Sequence, residues 1–242
     1  MREAAERGAR FVALPEMFAY LRREGRDFPH AQSVEGPILG AVRGWARELG
    51  VRILAGSIAE ASEGERVYNT SALVGPDGRL EATYRKLHLF DVDLGEAGGG
   101  VYAESQSIAP GDEVVVAETE IGGIGLSICY DLRFPELYRE QAARGARWLA
   151  VPSAFAPHTG KDHWRVLLRA RAIENQAFVL APAQCGQHSP DRASYGHSMI
   201  VDPWGKVLAE LDDSPGLAVA DCSLEALERV RTALPALRHR RL

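Results

Sequence analysis

The sequence predicts an α/β protein, specifically a four-layer αββα sandwich of two mixed sheets with helices outside and a pseudo-two-fold internal repeat. Three observations lead there. Short runs rich in Val, Ile and Leu alternate with amphipathic stretches along the 242 residues, which is the signature of strands interleaved with helices. Two Pro-Gly turns sit between alternating runs, and one 15-residue stretch recurs in the second half of the chain.

The first half reads as a strand in FVALPE (11–16), a helix near 37–49 and strand material in VRILAGSIAE (51–60). A hairpin follows in YNTSALVGPDGRLEATYRK (68–86). Within it Pro76 presets the turn and Gly78 tolerates positive φ. The second half gives VVVAETEIGGIGLSICY (114–130) with a strand at 124–129, a helix over 135–145 and a strand in WLAVPSAF (148–155). A helix over 162–176, a strand in AFVLAPAQC (177–185) and a hairpin through Asp202-Pro203-Trp204-Gly205 complete it. REAAERGARFVALPE at 2–16 lines up with REQAARGARWLAVPS at 139–153, and SALVGPDGR at 71–79 with SMIVDPWGK at 198–206. Two such halves, each a sheet with helices on one side, bury their bare faces against each other. One domain over 1–242 is expected. The alignment also leaves the first half one strand short, so the fold's first strand is expected to be missing at the N-terminus, roughly 25 residues through a misplaced start or a truncation.

With 46% hydrophobic and 25% charged residues and a net charge of −5, the chain can bury a full core and sets up no field toward nucleic acid or anionic lipid. A small molecule is the expected partner. Cys129, Cys185 and Cys222 are odd in number and lack a CxxC pair, which argues against a disulfide framework or zinc knuckle and fits a reducing cytoplasm. The N-terminus has no signal-peptide pattern, and no run reaches the roughly 18 apolar residues of a membrane span.

Four residues stand where chemistry is done. Cys129 closes an apolar strand before a polar turn into a helix, so its thiol is expected near a helix N-terminus that lowers its pKa toward the thiolate. Glu16 ends FVALPE after Pro15, Lys86 closes the first hairpin, and Glu104 lies in a loop between the halves. Each alone also reads as ordinary: a core thiol, a capping or ion-paired acid, a solvated strand end, a loop acid.

Together they carry a resemblance. LPE at 14–16, YRKLHLFD at 84–91, ES before PGD at 104–112 and ICYDLRFPE at 128–136 resemble, in order, the Glu, Lys, Glu and Cys motifs of the nitrilase (carbon-nitrogen hydrolase) superfamily. RARAIENQ at 169–176 and YGHSMIVDPWG at 195–205 extend the likeness over nearly the whole chain. The resemblance implies a cysteine-dependent amidase with Glu16, Lys86 and Cys129 as catalytic triad and Glu104 as supporting acid. Cys129 attacks an amide carbonyl with Glu16 as base. Lys86 and a backbone N–H, that of Tyr130, hold the oxyanion, ammonia leaves with a proton from Glu16, and water opens the thioester. Glu104 orients Lys86 and Glu16. Substrate contacts are expected from Tyr130 and Arg133 after the nucleophile and from Ser153 and Phe155 in WLAVPSAF. No metal and no cofactor are expected.

Within that superfamily the second half and LPALRHRR near the end resemble the Nit-type amidases, including the Nit partner of Fhit. This implies action on the terminal amide of deaminated glutathione, with ω-amidase action on α-ketoglutaramate or N-carbamoyl hydrolysis as alternatives. Such substrates are anionic, and Arg133, Arg192 and Lys161 are the candidate cations. The family likeness also implies a homodimer through the 135–145 and 162–176 helices. Two rival classes remain: a metal hydrolase on His88, Asp91 and Asp93, and a catalytically impaired scaffold. GEAGGG at 95–100 lacks the Lys of a phosphate loop.

Overall fold

The computed structural model describes residues 1–23, 27–95 and 100–241. Of the GEAGGG stretch, 96–99 therefore lie outside the described residues. The chain opens with α1 (Arg2–Glu6) and β1 (Phe11–Ala13). The next helix, α2 (Pro37–Leu49), starts on a proline, whose missing N–H costs nothing in a first turn, and stops at Gly50 with φ of 63°. It buries Leu39, Val42 and Ala46, one face at helical spacing. Strands β2 (Arg52–Leu54), β3 (Ile58–Glu60), β4 (Val67–Val74) and β5 (Leu80–Arg85) follow. The β4–β5 turn is closed by the Gly75 N–H donating to the Arg79 carbonyl at 2.9 Å, with Gly78 at φ of 78°. A two-stranded ribbon, β6 (Asp91–Asp93) and β7 (Val101–Ala103), precedes β8 (Ile108–Ala109), which returns parallel to β4. In this first sheet β1 runs parallel to β2, and β4 pairs antiparallel with β2, β3 and β5.

The second sheet begins with β9 (Val116–Ala117) and β10 (Gly123–Leu126), then α3 (Pro135–Ala143), β11 (Ala146–Ala150), α4 (Pro157–Asn175) and β12 (Phe178–Ala181). After a separate hairpin of β13 (Cys185–Ser189) and β14 (Arg192–Tyr195), β15 (Met199–Val201) and β16 (Val207–Glu210) complete it in the order β16-β15-β12-β11-β10-β9. The short helix α5 (Leu224–Ala233) follows. Two boundaries differ from those expected. The strand read at 124–129 leaves the ladder after Leu126, because Cys129 opens a 3₁₀ turn (Cys129–Arg133). The helix read at 162–176 begins five residues earlier, at Pro157, where a polar, glycine-containing first turn hides the apolar periodicity.

Three apolar layers separate four layers of structure. Leu39, Val42 and Ala46 of α2 pack on Val12, Ile53, Ala72 and Val74 of the first sheet. Leu137 and Tyr138 of α3 and Trp164, Leu168 and Ala172 of α4 pack on Leu149, Val179 and Val201 of the second. Between the sheets lie Leu54, Leu73 and Tyr84 against Ile124, Leu126, Trp148, Ala150 and Phe178. Neighbours such as Ile53 and Leu54, or Trp148 and Leu149, face opposite layers as the pleat demands. The protein is thus an αββα sandwich, and burial of both sheet faces explains why its strands read as unbroken apolar runs. Arg52, 3% exposed, ties the halves at one edge by reaching Glu81 of β5 at 2.8 Å and Glu120 before β10 at 2.5 Å.

Candidate active site

The ends of β1, β5 and β10 open on one mouth of the sandwich, and each delivers one of the expected side chains. Beyond β1, Leu14 still donates to the Leu54 carbonyl at 2.9 Å, and Pro15 then turns the chain so that Glu16 points inward, 6% exposed. Gly56 makes this approach possible, since a Cβ there would stand 1.8 Å from the Pro15 carbonyl oxygen. Glu16 Oε1 accepts from Asn69 Nδ2 at 2.8 Å and lies 3.5 Å from Lys86 Nζ; Oε2 accepts the Ala154 N–H at 2.8 Å.

Lys86 follows β5, its main chain pinned by donation to the Asn69 carbonyl at 2.9 Å. Its side chain is 2% exposed, and Nζ sits 2.8 and 2.9 Å from the two oxygens of Glu104. Burial weakens an ammonium, yet the charges of Glu104 and then Glu16 outweigh it and hold Lys86 well above the usual lysine range. Glu104 opens a single 3₁₀ turn (Glu104–Gln106), and its Oε2 also accepts the Phe90 N–H at 2.6 Å. It therefore orients Lys86 directly; the described contacts do not include one to Glu16.

Cys129 sits at φ of 49°, a left-handed conformation costing about 1–3 kcal/mol in a non-glycine residue. Its N–H donates to the Pro152 carbonyl at 3.0 Å. Asp131, fully buried two residues on, braces the elbow by accepting the Ile128 N–H at 2.8 Å, the Tyr84 hydroxyl at 2.7 Å and the His88 N–H at 3.0 Å. The expectation of a thiol tuned toward the thiolate is corrected here. Burial, then the Glu16 carboxylate, push the Cys129 thiol far above its ordinary value, and Lys86 and the Ala154 N–H offset only part of this. The element at Cys129 is a five-residue 3₁₀ turn, and α3 starts only at Pro135, beyond the reach of a helix dipole. The surroundings of Cys129 therefore favour its protonated thiol.

These groups line a solvent-open cavity. Tyr130, Arg133 and Phe155 line it too. The Arg133 guanidinium rests 5.1 Å from the Phe155 ring centre and 5.8 Å from that of Tyr130. Ser153 does not reach the cavity: it is fully buried and its hydroxyl donates to the Val151 carbonyl at 3.1 Å. The useful group there is the backbone N–H of the next residue, Ala154. Of the other candidate cations, Arg192 lines the cavity and Lys161 is exposed outside it. Sequence reading missed Asn69 and Arg22, both buried in the lining. A signal existed for Asn69: Asn69-Thr70-Ser71 is a polar triplet in mid-strand, each residue at most 1% exposed.

The metal alternative finds no convergence. The His88 ring nitrogen lies 2.7 Å from Asp131 with its ring stacked on Phe134, Asp91 accepts the Ser105 N–H at 2.9 Å, and Asp93 accepts the Gly95 N–H at 2.9 Å. Among the described residues no group of three His, Cys, Asp or Glu side chains is placed to share an ion. No helix among them is long and apolar enough to cross a membrane.

A sandwich that gathers a thiol, an ammonium and two carboxylates at the ends of its strands defines a class of protein, a hydrolase working through cysteine. The chain belongs to the carbon-nitrogen hydrolase family, whose sequence profile matches residues 1–232. It is 44% identical over 241 residues to the deaminated glutathione amidase of Synechocystis sp., covering 98% of this chain and 88% of that one. It is also 44% identical over 247 residues to the deaminated glutathione amidase of Homo sapiens, covering 100% and 75%. The crystal structure of the C. elegans NitFhit protein superposes with a TM-score of 0.91 at 38% identity, over 99% of this chain. The chain spans 59% of that protein's length.

Proposed function

We propose that this protein is a cysteine-dependent amidase that hydrolyses deaminated glutathione. The observation that carries the reading is the sharing of one cavity by Cys129, Lys86, Glu16 and Glu104, in a chain similar over nearly its full length to amidases of that name. Cys129 attacks the amide carbonyl as Glu16 takes the thiol proton, and Lys86 stabilises the oxyanion. The Cys129 N–H is already committed to Pro152, so the Tyr130 N–H is the backbone donor assigned to that oxyanion. Glu16 returns its proton to the departing amine and then activates the water that opens the thioester. For deaminated glutathione that amine belongs to cysteinylglycine, not ammonia as for a primary amide. The substrate carries a carboxylate at each end, and Arg133 and Arg192 give the cavity cationic groups to meet them.

The test is a product screen. Release of 2-oxoglutarate from deaminated glutathione is expected, with smaller turnover of α-ketoglutaramate followed through 2-oxoglutarate and ammonia. Preference for α-ketoglutaramate, or ammonia release from N-carbamoyl compounds or nitriles alone, overturns the substrate assignment; no release from any favours the scaffold reading.

A homodimer packed through α3 and α4 accompanies this reading, supported by the exposed apolar side chains Val166 (65%) and Ile173 (47%) on α4. Sedimentation equilibrium is expected to give the mass of two chains, and the mass of one overturns it. All three cysteines are unpaired, which fits a reducing cytoplasm.

A further inference from the structure

We infer that Asn69 is a positioning residue that holds Glu16 in register for taking the proton of Cys129. The inference rests on the reading of Glu16 as base and Cys129 as nucleophile. Asn69 is 1% exposed in β4, faces the cavity, and donates Nδ2–H to Glu16 Oε1 at 2.8 Å. Its Oδ1 is buried with no hydrogen-bond partner among the described residues. An unpartnered buried carbonyl costs stability that a leucine of similar shape would spare, so packing does not account for an amide here. What the amide supplies is its donor.

The geometry specifies the use of that donor. Lys86 Nζ approaches both Glu104 oxygens to within 2.9 Å but stands 3.5 Å from the Glu16 oxygen that Asn69 holds. With the Ala154 N–H on Oε2, the Glu16 carboxylate is fixed at both ends by neutral donors. Its ion pair with Lys86 is thereby held at 3.5 Å, longer than the two Glu104 contacts. The same residue's main-chain carbonyl accepts the Lys86 N–H at 2.9 Å. Asn69 thus sets the acid with its side chain and the ammonium with its backbone, so that Glu16 stays aimed at the thiol and Lys86 stays available to the oxyanion.

The test uses the rate at which iodoacetamide alkylates Cys129, followed at that residue by mass spectrometry. In this reaction the Sγ–C bond forms, iodide leaves, and the thiol proton passes to Glu16. Asn69→Leu is expected to slow alkylation about 10- to 100-fold, the worth of one hydrogen bond to a charged group. Glu16→Gln slows it at least as much, and adding Asn69→Leu to Glu16→Gln is expected to cost less than about twofold more, because the two act through one proton transfer. An unchanged rate in Asn69→Leu, or an equal fold-loss in both backgrounds, overturns the inference. If Glu16→Gln alone does not slow alkylation, the reading of Glu16 as base fails instead. Should Asn69→Leu not fold, Asn69→Ala, which removes the donor without adding bulk, is held to the same outcomes.

Discussion

Cys129→Ala is expected to abolish turnover, by roughly 10⁴-fold or more, because removal of a nucleophile leaves only binding and oxyanion stabilisation. Cys185→Ala and Cys222→Ala are expected to keep most of it. Three thiols in one chain allow a strict internal control, since their surroundings differ. Cys129 shares its cavity with Lys86 and both carboxylates. Cys185 lies on the separate β13–β14 hairpin, its thiol raised by burial and by Asp213 and Asp212. Cys222 packs at the edge of the layer between the sheets, where burial, then Asp221 and Asp202, push its thiol up to about 12. Neither lines the cavity that holds Lys86 and the two glutamates. Steady-state rates on the three variants, with circular dichroism to check folding, decide the matter, and equal losses from all three would refute the assignment.

Lys86→Met is expected to remove activity and also to destabilise the protein by about 3–5 kcal/mol, the usual cost of leaving buried charges without their partner. Glu16 and Glu104 share this one cation. At this chain length the loss corresponds to a melting temperature lower by roughly 10 °C. The pH dependence has a defined sign. Lys86 holds its proton more tightly in the folded protein than the ordinary value of 10.5, so its contribution is complete below that pH and is lost only as pH rises through the higher, folded-state value. The gap between wild type and variant should therefore be flat across neutral pH and close only in strong alkali. Thermal melts from pH 6 to pH 11 measure it; a gap that closes near neutrality would show that Lys86 is not the charged centre of the cluster.

Much of this was legible in the residues, for physical reasons. Strands buried on both faces advertise themselves as continuous apolar runs, and Pro76 and Gly78 leave few ways to turn between β4 and β5. Glu16 and Cys129 are legible because each interrupts an apolar run beyond a strand, and Lys86 because it closes a hairpin. What escaped depended on partners far away in the chain. The state of the Cys129 thiol is set by burial and by a carboxylate 113 positions earlier, not by the local turn from which a lowered value was inferred. Ser153 is expected as a substrate contact, whereas the group that serves Glu16 is the main-chain N–H of Ala154, which no side-chain pattern encodes. Asn69 is visible only as a polar residue where an apolar one was due, and its meaning appears once Glu16 is folded against it.

The bracing carboxylate of Asp131 has a mechanical consequence. Tyr84 in β5 and His88 beyond it flank Lys86, and Ile128, beyond β10, immediately precedes Cys129; all three bond to that one acid. The segments that bring the sulfur and the ammonium together, though they come from different sheets, are thus fastened to one carboxylate.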